Sequence, residues 1–261
     1  MKVNVYNSIV AAVMALISFL LCSCSMSVVK VDDSEIVEKT FPVSDFNGIE
    51  ASGIDVIYTV SDTASVLLRC SESCMKSVDV EVSETGTLRL SCNLNHGTSN
   101  VIVLGRDNAD IVAYVSGPSL EKLYVNGSSE FECKDVMVVP DMIVSISGSG
   151  DVELSEVKAG NLSCSVQGSG DMKIVKAVSE NAKFSIAGSG DIEASLYDAK
   201  HTEIGIAGSG YIALKMNACG HAEAEISGSG AVELTGELDT LVKYIAGSGE
   251  IDTTHLRLKH P

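Results

Sequence analysis

A chain of 261 residues with 35 acidic and 18 basic side chains carries a formal net charge of −17. Such a surface repels a phosphate backbone, which excludes nucleic acid as an expected partner. With no Trp, seven Tyr and five Phe, platforms for stacking on sugar rings are scarce, and the length suits one elongated domain with a continuous core.

The chain opens Met1-Lys2 and runs apolar from Ile9 to Leu21, broken only by Ser18. A positive start, a short apolar stretch and small residues after it describe an export signal, and the run is short for a membrane span, which takes about 20 apolar residues. The sequence Leu21-Cys22-Ser23-Cys24 resembles the bacterial lipobox, with Leu21 at −3, Ser23 at −1 and Cys24 as the lipidated first residue of the mature chain. Residues 1–23 then form a lipoprotein signal peptide and 24–39 a lipid-anchored tether, attached to a membrane without crossing it. The alternative is a plain secretory signal cut nearby.

Residues 40–126 read as an irregular β region. Ile54–Val60, Ser65–Arg69, Val78–Val82 and Thr87–Ser91 alternate or are β-rich, with Ser, Asp, Gly and Asn turns between them. Six cysteines follow Cys24: Cys70, Cys74, Cys92, Cys133, Cys164 and Cys219. Their spacing contains neither a CxxC pair nor a zinc pattern. Cys70 and Cys74 are the close pair, and either a disulfide or two free thiols fits there.

From residue 127 to 261 the chain repeats. Gly-Ser-Gly begins at Gly148, Gly168, Gly188, Gly208, Gly228 and Gly247, in steps of 20, 20, 20, 20 and 19 residues, and a weaker copy, Gly127-Ser128-Ser129, lies 21 residues earlier. Behind each triplet the residues alternate, as in Val152-Glu153-Leu154 and Met172-Lys173-Ile174. This is the period of a strand with one buried face. A second alternating stretch closes each row with Val166, Ile186, Ile206, Ile226 and Ile245, all β-branched and expected inside. No single row can bury its apolar side, so the rows stack. The fold expected is all-β: a right-handed single-stranded parallel β-helix, or β-solenoid, with a 20-residue coil, capped by the irregular front region. Glycine on either side of a small serine provides the corner, and the stacked serines are placed to hydrogen-bond up the column.

Two columns carry chemistry-bearing residues. Asp151, Asp171 and Asp191 follow successive triplets, about 5 Å apart if stacked; they are either cation ligands or a solvated acidic edge. Asn161, Asn181, His201 and His221 form a second ladder, in which the imidazoles continue a structural amide stack or hold a transition metal that lacks an evident third ligand. Neither reading calls for a cofactor. No nucleophile motif, zinc signature or phosphate loop occurs, and the six rows contain no inserted loop to wall a catalytic groove. No catalytic residues are assigned.

The segment Phe46-Asn47-Gly48-Ile49-Glu50-Ala51-Ser52-Gly53-Ile54-Asp55-Val56, followed by Gly-Ser-Gly-Asp-Ile/Val rows, resembles the auto-transporter adhesin head domain, the GIN domain, over about Thr40 to the C-terminus. The resemblance implies a right-handed β-helix in lipoproteins of Bacteroidetes-type envelopes. The combined reading is a non-catalytic outer-membrane lipoprotein. Its solenoid surface binds an unknown protein or glycan, and its membrane contact is the lipid anchor. A periplasm-facing structural or accessory protein is the main alternative, and a polysaccharide-active β-helix enzyme the weaker one.

Overall fold

The computed structural model describes residues 35–92 and 111–260. The export signal and Cys24 lie outside the described residues. Among the described residues no helix is long and apolar enough to cross a membrane. The first strands are β1 (Ile36–Phe41), β2 (Gly48–Ser52), β3 (Asp55–Val60) and β4 (Ser65–Ser71). A single helical turn, α1 (Glu72–Met75), leads to β5 (Val78–Val82), β6 (Thr87–Cys92), β7 (Val112–Gly117) and β8 (Lys122–Gly127). The long rows follow: β9 (Glu130–Gly148), β10 (Asp151–Gly168), β11 (Asp171–Gly188), β12 (Asp191–Tyr197), β13 (His201–Gly208), β14 (Tyr211–Gly228) and β15 (Ala231–Gly247). Two short strands end the chain, β16 (Glu250–Asp252) and β17 (Leu256–Leu258). Residues 36–39 were expected in the tether; they instead pair antiparallel with β4, Val37 opposite Cys70.

The rows stack into a β-solenoid of about seven turns. Each long row bends twice and contributes to three faces. The first face runs β1–β4–β7–β3 and then through the starts of β9, β10, β11, β12, β14 and β15 to β16. The third face runs β5–β6–β2–β8 and on through the ends of β9, β10 and β11, then β13, to the ends of β14 and β15. The front region therefore continues the same faces: Val56 lies opposite Phe131, and Val125 opposite Ile146. Its antiparallel members, β1, β4 and β5, stand at the N-terminal edges.

Inward columns are buried throughout, from Val152, Met172, Ile192, Ile212 and Val232 on the first face to Val166, Ile186, Ile206 and Ile226 on the third. Each such side chain removed from water contributes roughly 1.5–3 kcal/mol. Tyr58, Phe131 and Phe184 are the largest buried side chains; Tyr58 stacks on Phe131 with ring centroids 5.9 Å apart and donates its hydroxyl to the Pro118 carbonyl at 2.5 Å.

The two glycines of the corner do different work. The first takes a positive φ, +132° at Gly168, whereas the second is not in that region but packs against the coil below: a Cβ on Gly170 would lie 2.1 Å from the Gly150 carbonyl oxygen. Between them the serine backbone N–H, rather than its hydroxyl, makes the bond up the column, as in Ser169 N–H to Gly148 O at 2.8 Å. The weaker copy departs because Ser129 replaces the second glycine, and its buried hydroxyl accepts the Ile54 N–H at 3.1 Å. The 21-residue step has a local cause as well. The extra residue falls between Cys133 and Val136, where the register against β10 shifts, and the carboxylate of Asp135 there accepts the Val60 N–H at 2.9 Å. The 19-residue step is absorbed between Met216 and Cys219, beside Ala218, which holds φ +53°.

At the C-terminal end β16 and β17 cover the first and middle faces. The third face ends on residues 240–247, paired only with β14 among the described residues. Ile245, expected inside with Val166 and Ile226, is therefore 48% exposed. Lys243 occupies the inward position that Ala224 takes one coil earlier, and its ammonium donates to Thr253 Oγ1 at 2.9 Å.

Candidate functional site on the first face

Alternation along each first-face strand sends every second side chain outward. Parallel in-register pairing then lines these up into columns. One column reads Asp55, Glu130, Asp151, Asp171, Asp191, Tyr211, Ala231, Glu250, and its outward neighbour reads Ile57, Glu132, Glu153, Lys173, Glu193, Ala213, Glu233, Asp252. The acidic ladder is thus five carboxylates long. Asp55 and Glu130 belong to it, although the repeat alone begins it at Asp151. A shallow groove of about 730 Å³ runs along these columns.

The carboxylates are partly occupied by the backbone. Asp151 Oδ1 accepts the Asp171 N–H at 3.0 Å, Asp171 Oδ1 accepts the Asp191 N–H at 3.1 Å, and Asp55 Oδ1 accepts the Glu130 N–H at 2.9 Å. Where the column loses its aspartates, the equivalent N–H groups of Ala231 and Glu250 turn to the carbonyls of Gly210 and Gly230. Partial burial, with Asp171 and Glu193 beside it, raises the carboxyl pKa of Asp191. Tyr211 ends the ladder and donates its hydroxyl to Glu233; that bond, then burial and the surrounding carboxylates, push the phenol up to about 12. Lys173 sits 3.8 Å from Glu153 with both side chains more than half exposed, a pairing of little energetic weight.

The histidine ladder lies elsewhere, at the start of the third face. Asp141 accepts from Asn161 at 2.5 Å, Asn161 accepts from Asn181 at 2.9 Å, and His201 and His221 continue the column edge to face, ring centroids 6.5 Å apart. His221 Nδ1 is 2.8 Å from Thr240 Oγ1. The structure brings Asp151, Asp171 and Asp191 together and keeps them apart from His201 and His221. Among the described residues, no three His, Cys, Asp or Glu side chains converge in a way that could hold a metal ion. One outward column of the third face is small over four rows, Ser145, Ser165, Ser185 and Gly205, whereas the column beside it carries Ile143, Ser163, Lys183, Glu203 and Glu223.

All six described cysteines are free thiols, Cys70 and Cys74 included. Cys133 and Cys164 are buried, and burial raises the thiol pKa of both.

Comparison with known proteins agrees with this architecture. A crystal structure described as a putative lipid binding protein from Parabacteroides distasonis is 24% identical, with a TM-score of 0.70 over 84% of this chain and 96% of that one. A putative adhesin from Bacteroides fragilis is 21% identical, TM-score 0.70, over 83% and 96%. Another from Parabacteroides merdae is 18% identical, TM-score 0.67, over 84% and 97%. These likenesses show a shared fold. No curated protein matches. The family model described as "Putative auto-transporter adhesin, head GIN domain" matches residues 45–237 and again 198–260, an overlap that a 20-residue period permits. The family and these neighbours bear the names of adhesins and a binding protein, not of enzymes, and the chain belongs to the auto-transporter adhesin head, GIN domain, family.

Proposed function

We propose that this protein is a non-catalytic cell-envelope lipoprotein, anchored through Cys24, whose solenoid acts as an adhesive binding module. The observation that supports it most is the first face. Five carboxylates in register along a groove give an extended, predominantly acidic surface. Such a surface suits a partner with basic side chains on a protein or glycoprotein, and disfavours polyanions. The binding-protein names of the relatives support the same reading.

Protease shaving of intact cells tests it, with an antibody to the domain and a periplasmic protein as control. Digestion of the domain while the control survives is the expected result. Protection in intact cells, with digestion once the outer membrane is opened, would place the partner inside the envelope and overturn the adhesive role.

A further inference from the structure

Three thiols lie within electrostatic reach of one another at the N-terminal cap. Val66, Leu68 and Cys70 form the inward column of β4, and Leu88, Leu90 and Cys92 that of β6. Cys74 lies in α1, which joins β4, the strand that holds Cys70, to β5, the strand paired with that of Cys92. Ser71 Oγ accepts the Cys74 N–H at 3.3 Å, and the Cys74 carbonyl accepts the Ser77 N–H at 2.8 Å. The next residue, Val78, is the register partner of Cys92. Cys74 is thus placed one turn from the strand pair that contains Cys92. Burial raises the thiol pKa of both Cys70 and Cys92 to about 11; Cys74 and Cys92 add to the shift of Cys70, and Cys74 to that of Cys92, as three neighbouring thiols would. The other described cysteines, Cys133, Cys164 and Cys219, lie in separate rows.

We propose that Cys74 and Cys92 are the site of a disulfide that staples the cap, tying the end of β4 and α1 on the first face to β6 on the third. A Cys70–Cys74 bond would have to close across Ser71, the cap of α1, whereas the Cys74–Cys92 bond links α1 to β6, the strand that pairs with β5 directly after α1. The oxidant is a disulfide of the exchange type. Cys92, the least buried of the three thiols, attacks one sulfur of that disulfide as its thiolate and releases the first thiol. The Cys74 thiolate then attacks Cys92 Sγ and expels the second. Two protons and two electrons leave the protein with the two thiols of the spent oxidant. Because Cys92 is held protonated, exchange is slow at neutral pH and accelerates towards pH 9.

The test uses the full chain, purified reduced and incubated with oxidised glutathione at pH 8.5, then mapped by peptide mass spectrometry without reduction. The expected product is a single cross-linked peptide joining Cys74 to Cys92, two hydrogens lighter than its parts. The melting temperature should rise by roughly 5–10 °C, as closing a loop of that length implies. The rise should persist in Cys70→Ser and vanish in Cys92→Ser. A Cys70–Cys74 or Cys70–Cys92 cross-link, a glutathione adduct left unresolved on Cys92, or free thiols at all three positions after oxidation would each overturn the assignment; the wild-type map decides this even if a variant does not fold.

Discussion

The Ser129 hydroxyl accepts the Ile54 backbone N–H at 3.1 Å, joining the first irregular copy of the corner to the front region 75 residues earlier in the chain. Ser129 is buried, so water cannot replace it. Ser129→Ala leaves that N–H without a partner and should cost about 1–2 kcal/mol, lowering the melting temperature by about 3–6 °C. Ser129→Gly, which restores the triplet of the other coils, should do no better. A glycine variant as stable as the parent would show that the hydroxyl is incidental.

Thr202 holds an inward position where its neighbours in the column are Ala182 and Ala222, and its buried Oγ1 has no hydrogen-bond partner. Thr202→Val keeps the shape and removes the unpaired polar atom, so it should stabilise by about 1 kcal/mol, read as a higher urea midpoint with an unchanged slope. Ile206→Asp, four residues on, buries an unpaired charge and should abolish folding. An Ile206→Asp variant that stays soluble and unfolds cooperatively would refute the column assignment.

Ala218 adopts φ +53°, the left-handed region that costs a non-glycine residue about 1 kcal/mol. Ala218→Gly should therefore be neutral to stabilising, by up to about 1 kcal/mol after the added freedom of the unfolded chain is set against it. Gly168→Ala is the opposite case. Its new Cβ would sit 2.2 Å from the Gly148 carbonyl oxygen, and the expected loss is at least about 3 kcal/mol. Thermal melts of the two variants, side by side, check both signs.

The raised carboxyl of Asp191 makes a pH prediction. Its folded pKa exceeds the unfolded value because of burial and then the charges of Asp171 and Glu193, so the folded state holds this proton more tightly than the unfolded one. Its contribution favours folding in acid and is lost as pH rises through the folded pKa. Asp191→Asn should raise stability at pH 7, and the gain should disappear when the melts are repeated below the unfolded carboxylate pKa. Calcium should leave the melting temperature of the parent unchanged; a calcium-dependent rise that Asp171→Asn removes would make the ladder a cation site.

The repeat was legible because its period is carried by glycine and by β-branched residues whose roles are steric. Stacking, corners and inward columns follow from Gly168, Ile186 and Ile206 with no tertiary information. The site was only half legible. Asp151, Asp171 and Asp191 share a 20-residue spacing, but Asp55 and Glu130 reach the same column through parallel pairings of β3 with β9 that no local pattern records. The strand at Ile36–Phe41 was hidden for a related reason, since its positions are largely exposed and its one strand partner among the described residues is β4. The nearness of Cys92 to the chain just after Cys74 depends on an antiparallel register, Val78 opposite Cys92, that spacing cannot supply.

Lys243 gives the last coil a different character from the rest. A stack of near-identical rows is a template, and a terminal row with an apolar inward column would recruit a further row from any neighbouring molecule. An ammonium at that position, held by Thr253, makes continuation require desolvation of a charge. The row is thereby expected to act as a chain terminator in the polymer sense, opposing end-to-end stacking of copies. Lys243→Ile should convert the protein into end-to-end oligomers, visible as concentration-dependent mass in light scattering; a variant that stays monomeric would mean that other features of the last coil suffice.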